Sequence, residues 1–276
     1  MILLLTKASY RERKEFIVIV GLGLADLFYI VVYCFLAFEY ILHGVDGVLV
    51  TKEQCSYNIS SNLAVVAFQL VGEMTLFTAI DRFIASIFGA WYYKLRKTYA
   101  VLICAVPTLL CVPLTVANFV SIQTTHERST LTHSACYPNM MMSSTVITYI
   151  RIHKWFCIAL ASILYTSIGL YLKKKSAILD KESEKRVSRA NRIMGLTTIS
   201  SVVCILVPDL IASINTSNSY VIYLYMLMLD KALVNFILYM IYHNELRKIY
   251  KNFLCRFSKA KPFSGSTISQ RNVTVF

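Results

Sequence analysis

Residues 60–88 read SSNLAVVAFQLVGEMTLFTAIDRFIASIF. A bilayer core of about 30 Å needs about 20 helical residues, and this stretch is longer than that while carrying only three charged side chains, Glu73, Asp81 and Arg82. It reads as a membrane-spanning helix. Working outward, five more blocks have the same character: 16–42, 99–120, 145–172, 193–214 and 221–241. The expected fold is therefore all-α, a polytopic membrane helix bundle with six full spans. A further apolar stub, residues 1–5, is too short for a span and too short for the apolar region of a signal peptide. It reads as the inner end of a helix whose beginning is missing.

Composition agrees. The chain is 57% hydrophobic and 16% charged, against roughly 45–50% and about 25% in a soluble domain, which excludes an ordinary cytosolic globule. Its 15 Phe and 18 Tyr exclude a disordered chain. A net charge of +13 would suggest nucleic acid, but the position of the cations decides otherwise. Most lie in 7–14, 94–97, 173–192 and 247–271, all on one side of the alternating blocks, whereas the loops of the other side hold only Lys52 and Arg128. Positive charge accumulates on the cytoplasmic face, so the segment before residue 16, the loop 173–192 and the C-terminus are expected inside the cell, in the plasma membrane.

Of eight cysteines, Cys34, Cys104, Cys111, Cys157 and Cys204 fall within the apolar blocks, where a thiol packs as a small hydrophobe. Only Cys55 and Cys136 lie in outside loops. That side is oxidising, and the two are expected to form one disulfide tying the top of the second block to the loop 121–144. Cys255 follows an amphipathic run just inside the membrane, as an acylation site or an unmodified thiol. The loop 173–192 carries both charge signs at helical spacing and is expected to continue its flanking helices. Residues 1–256 form the transmembrane domain, and 257–276 a Ser/Thr-rich disordered cytoplasmic tail. Asn58 and Asn215 head glycosylation triplets near the outer surface, and Asn272 heads one on the cytoplasmic side, where it stays bare.

Catalytic signatures are missing from the sequence. The five histidines, His43, His126, His133, His153 and His243, include no pair one helical turn apart, so no zinc site is expected. There is no Gly-rich phosphate loop and no G-x-S-x-G elbow. The reading is no enzyme, no cofactor and no metal.

Several short motifs occur in one order and on consistent sides: Leu24-Ala25-Asp26-Leu27 in the first full block, Asp81-Arg82-Phe83 at the inner end of the second, Pro208 in the fifth, Asn235-Phe236-Ile237-Leu238-Tyr239 in the sixth, then Asn244-Glu245-Leu246-Arg247. Together they resemble helices two, three, six and seven of a rhodopsin-like G-protein-coupled receptor, most nearly the nematode serpentine chemoreceptors of the srsx class. The resemblance covers residues 7 to about 256. It implies a seven-transmembrane bundle whose first helix is truncated here, a small-molecule or peptide ligand, and a heterotrimeric G protein as partner. It also implies that Asp81, Arg82, Pro208, Asn235 and Tyr239 form the activation machinery. Leu206 stands where the family has a Trp before the helix-six proline, and Phe236 where the helix-seven motif has its proline.

Individual side chains carry competing readings. Arg82, at the water boundary, either snorkels or, as the resemblance implies, engages the G protein when helix six moves outward. Pro208 kinks its helix, which is also the hinge such a movement needs. Asp209 would cost roughly 2.5–3.5 kcal/mol facing lipid and is expected to face the cavity. Arg151, His153 and Lys154 are expected among headgroups, unless Arg151 or Lys154 turns inward toward Asp209 and helps hold an anionic or polar ligand. Ala64, Val65, Phe68 and Gln69 match the family's ligand-facing stripe. With no carboxylate on that stripe, a small hydrophobic ligand is expected over an amine. Lys231 either pairs with Asp26, since it lies one turn from Asn235 on the same helical face and the family commonly has a sodium ion beside the carboxylate matching Asp26, or it snorkels or pairs with Asp209 or Glu73. The alternative from another class is a six-helix transporter or channel with Asp26, Glu73, Asp230 and Lys231 as its polar pathway.

Overall fold

The structure is a computed structural model that describes residues 14–43, 49–133, 136, 141–175, 195–214, 230–238 and 240–241. Among the described residues, four helices are long and apolar enough to cross a membrane: α1 (Lys14–His43), α3 (Ile59–Ile87), α5 (Lys97–Thr124) and α6 (Ser144–Lys175). The short helices α2 (Lys52–Ser56) and α4 (Gly89–Lys94) lie in the connections. The fifth apolar block is helical from residue 195 and contains a π turn, Val202–Leu206, before α7 (Val207–Ile214). The sixth is described only from α8 (230–238) onward. Six full spans are thus matched by four. The stub 1–5, residues 176–192, Asn215, Tyr239, the Asn244 motif, Cys255, Asn272 and the tail 257–276 lie outside the described residues.

The bundle is organised around α3. In its most apolar window 72% of the residues are buried, against 22% in α5 and in α6. Its neighbours α1, α5 and α6 all pack against it. On α5 the side chains turned away from the bundle are Val101, Leu102, Leu109, Leu110, Val112, Val116 and Val120, all exposed. A helix apolar on its outer face as well as its inner one is built for lipid. Pro107 and Pro113 sit inside α5 without ending it, as membrane helices tolerate.

Gly72 allows α3 and α6 to touch, since a Cβ built there would lie 2.9 Å from Lys154 Cγ and 3.3 Å from Lys154 Cα. Lys154 is also the residue whose ammonium enters the core. Gly72→Ala is therefore expected to push the helices apart and destabilise the purified protein by about 1–3 kcal/mol, the usual penalty of overpacking. A thermal melt unchanged by the substitution would show that the two helices are not this close.

At the end carrying the disulfide, the loops build a small lid. Strands β1 (Leu49–Thr51) and β2 (Leu131–His133) pair antiparallel, with Val50 opposite Thr132. These three-residue strands were not expected from the sequence, because they are too short to show an alternating pattern. Thr51 then caps α2 in a capping box with Gln54. This turn places Cys55, fully buried, in a disulfide with Cys136. Cys136 adopts a left-handed backbone, φ 47°, and its carbonyl accepts a hydrogen bond from Ser61 Oγ at 3.0 Å. Asn58 caps α3 through Ser60 N–H, so its side chain serves the helix.

Both cations of this face are answered by carboxylates. Lys52 Nζ lies 2.8 Å from Glu127 Oε2 across the lid, and Arg128 binds Glu53 through two nitrogens. The lysine's hydrogen bond holds the Glu127 carboxyl below the usual carboxylate range, and Arg128 does the same to Glu53. A carboxyl whose pKa falls on folding stabilises above its unfolded value and loses that contribution as pH falls through the folded one. The lid ties therefore hold at neutral pH and loosen only in acid.

Candidate functional site

Three buried polar centres lie along the bundle, each built from side chains of different helices. The first is at the end of α3. Asp81 and Arg82 are almost wholly buried, with Arg82 Nη2 2.8 Å from Asp81 Oδ2. The helix α4 follows immediately and returns Tyr92, whose hydroxyl donates to Asp81 Oδ1 at 3.2 Å. Lys14 Nζ, from α1, donates to the Tyr92 carbonyl at 2.6 Å and lies 4.9 Å from the centre of its ring. Tyr99 meets the same ring edge-on at 6.0 Å. Arg82 is 3% exposed, so the snorkelling reading is corrected: a carboxylate beside it and tyrosines around it keep it inside.

The second centre joins α1 to α8. Asp26 accepts from Lys231 Nζ at 2.9 Å on one oxygen and from Asn235 Nδ2 at 2.8 Å on the other. All three are buried. Lys231 and Asn235 are one turn apart and reach the same carboxylate, whereas Asp230 is exposed. Beside them lies a polar crevice lined by Thr75, Thr78, Thr197, Thr198 and Ser201. These hydroxyls were missed from the sequence; the run Thr197-Thr198-Ile199-Ser200-Ser201 inside an apolar block was the available signal.

The third centre is set by the π turn. Val207 N–H bonds to the carbonyl of Val202, five residues back, and Pro208 follows with no N–H of its own to continue the ladder. A π turn accommodates one extra residue, which turns the helix beyond it and so sets the direction of Asp209. That residue is fully buried. Lys154 Nζ lies 2.8 Å from its Oδ2, Trp155 Nε1 donates to the same oxygen at 2.8 Å, and Arg151 Nε is 3.9 Å from Oδ1. The Lys154 ammonium also sits 3.4 Å from the centre of the Phe68 ring, a cation on an aromatic face. One turn along α3, Gln69 Nε2 donates to Glu73 Oε1, and His153 Nε2 is 3.4 Å from that same oxygen.

One expectation is corrected here. Lys154 is 1% exposed and does not meet headgroups; the carboxylate of Asp209 and the Phe68 ring draw it inward. The stripe of Ala64, Val65, Phe68 and Gln69 is buried, three of its members sharing one core cluster with Cys55, Cys136, Met141, Met142 and Ile150. Nor is it remote from carboxylates. Glu73 bonds Gln69, and Asp209 reaches Phe68 through Lys154. Glu73, His153 and Trp155 had not been assigned roles at this centre because contacts between helices are invisible in one helix's periodicity. Pro208 is described, but Tyr239 lies outside the described residues. Among the described residues no cluster of His, Cys, Asp and Glu has the makings of a metal site.

Membrane-length helices joined by buried ion pairs, with ionisable groups turned from lipid to the interior, make this a multi-pass membrane protein. The chain belongs to the Srsx family of serpentine seven-transmembrane G-protein-coupled chemoreceptors, whose family model matches residues 1–254. A search of the curated proteins finds no match. The family is one of receptors and not of enzymes.

Proposed function

We propose that the chain is a chemosensory receptor of the plasma membrane that binds a small external ligand and activates a heterotrimeric G protein inside the cell. The bundle is the seven-transmembrane kind, and the six apolar blocks are its full spans. The positive-inside pattern supports a cytoplasmic C-terminus, with the disulfide lid outside. One observation carries the reading: Arg82, closing the long central helix at the end opposite the lid, is held inward by Asp81, which Tyr92 also binds. Such a latch stores a charged side chain until the helices part. Pro208 and the π turn beside it supply the place where that parting occurs.

Among the described residues, the polar groups of the transporter reading are held in separate places. Asp26 and Lys231 satisfy each other, Glu73 sits with His153 and Gln69, and Asp230 is exposed. Expression in cells with candidate G proteins, challenged with odorant mixtures, is expected to give a signal that Arg82→Ala removes. A robust ligand response left intact by Arg82→Ala would show that the assigned role is wrong.

A further inference from the structure

Two cations of the third centre share the Asp209 carboxylate. Lys154 takes it at 2.8 Å, and the longer distance falls to Arg151. Its Nε is buried and finds no hydrogen-bond acceptor among the described residues, because Asp209 Oδ1 at 3.9 Å is beyond bonding range and Trp155 and Lys154 both approach the other oxygen. A guanidinium in apolar surroundings is costly until its donors are met. The side chain is 22% exposed, so the protein itself does not close over it.

We infer that Arg151 is the anchor for the acidic group of the receptor's ligand, an organic carboxylate with an apolar body. A carboxylate takes two parallel N–H donors from a guanidinium and brings the acceptor that Arg151 Nε lacks. The apolar body is called for by the adjoining core, where Phe68 lies under Lys154 and shares its cluster with Val65, Met142 and Ile150. The proposal adds an acidic group to the largely hydrophobic ligand expected from the stripe. It rests on the receptor reading only in assigning the bound acid the role of activator.

A headgroup phosphate carries the same anionic chemistry, so the test separates the two sources. The full chain is placed in nanodiscs of phosphatidylcholine alone or with added phosphatidylglycerol, and binding of octanoate, methyl octanoate and 1-octanol is measured by calorimetry. Butanoate to dodecanoate are run beside them. Octanoate or a neighbour in that series is expected to bind in both kinds of disc and the two neutral probes to bind far more weakly. Arg151→Met should weaken the acid roughly ten- to a hundredfold, the loss of hydrogen bonds to a charge, and Arg151→Lys less. Arg151 makes no hydrogen bond among the described residues, and Asp209 keeps Lys154 and Trp155 when Arg151 is replaced. Equal binding of ester and acid, acid binding indifferent to Arg151→Met, no binding by any acid of the series, or acid binding displaced by phosphatidylglycerol would each overturn the assignment. Acid binding that fails to stimulate nucleotide exchange would instead count against the receptor reading and leave the site standing.

Discussion

Asp26→Asn and Lys231→Met are each expected to reduce surface expression severely, and the double substitution to recover part of what either loses alone. Each single change leaves one uncompensated charge in the interior, which typically costs about 3–5 kcal/mol, whereas removing both charges together is far cheaper. Asn235 makes the two singles unequal. With Lys231 gone, Asp26 still accepts from Asn235 Nδ2; with Asp26 gone, the Lys231 ammonium loses its carboxylate. Asp26→Asn should therefore be the worse of the two. A double-mutant cycle read by surface staining measures the coupling, and strictly additive losses would contradict the pair. A second consequence follows from the resemblance. Where related receptors commonly have a sodium ion beside the matching carboxylate, this chain has an ammonium at 2.9 Å. Ligand affinity is expected to be unmoved when sodium replaces another monovalent cation at constant ionic strength.

Cys55→Ser or Cys136→Ser is the other large effect, about 2–4 kcal/mol on the chain-entropy account. The two residues are 81 apart in sequence, and the bridge fastens the lid to the top of the central helix. Little else can replace it. The paired strands have three residues each, and the ion pair of Arg128 with Glu53 is exposed and screened by salt. Thermal melts of the purified protein should fall with either serine variant and, to the same extent, in the wild type after reduction. Non-reducing peptide mapping that recovers both thiols free from surface-expressed protein would contradict the bridge.

Much of the scaffold was legible because a membrane imposes a length and a composition that periodicity cannot hide. The blocks 60–88 and 99–120 correspond to Ile59–Ile87 and Lys97–Thr124, differing by a turn or less at the ends. The disulfide was legible from sidedness alone, since only two cysteines faced the oxidising compartment. What hydropathy could not show was direction. Nothing in the block 145–172 says that Lys154 points into the bundle; that depends on Asp209 of another helix, and the direction of Asp209 depends in turn on a π turn with no compositional signature. The small sheet was hidden for a different reason: Leu49–Thr51 and Leu131–His133 are three-residue strands far apart in sequence, too short to show an alternating pattern. Arg82 was assigned from its neighbours in sequence, but its burial comes from Asp81, Tyr92 and a loop helix of six residues.

The central claim is that this bundle converts an external ligand into nucleotide exchange through the inner end of α3. Its most direct test is nucleotide exchange on purified heterotrimeric G proteins, measured with the full chain in nanodiscs with and without ligand. The account predicts that ligand accelerates exchange on at least one G protein and that Arg82→Ala abolishes the acceleration while ligand binding persists. Ligand binding with no acceleration on any G protein, together with ligand-dependent ion flux through the same chain in liposomes, would contradict it.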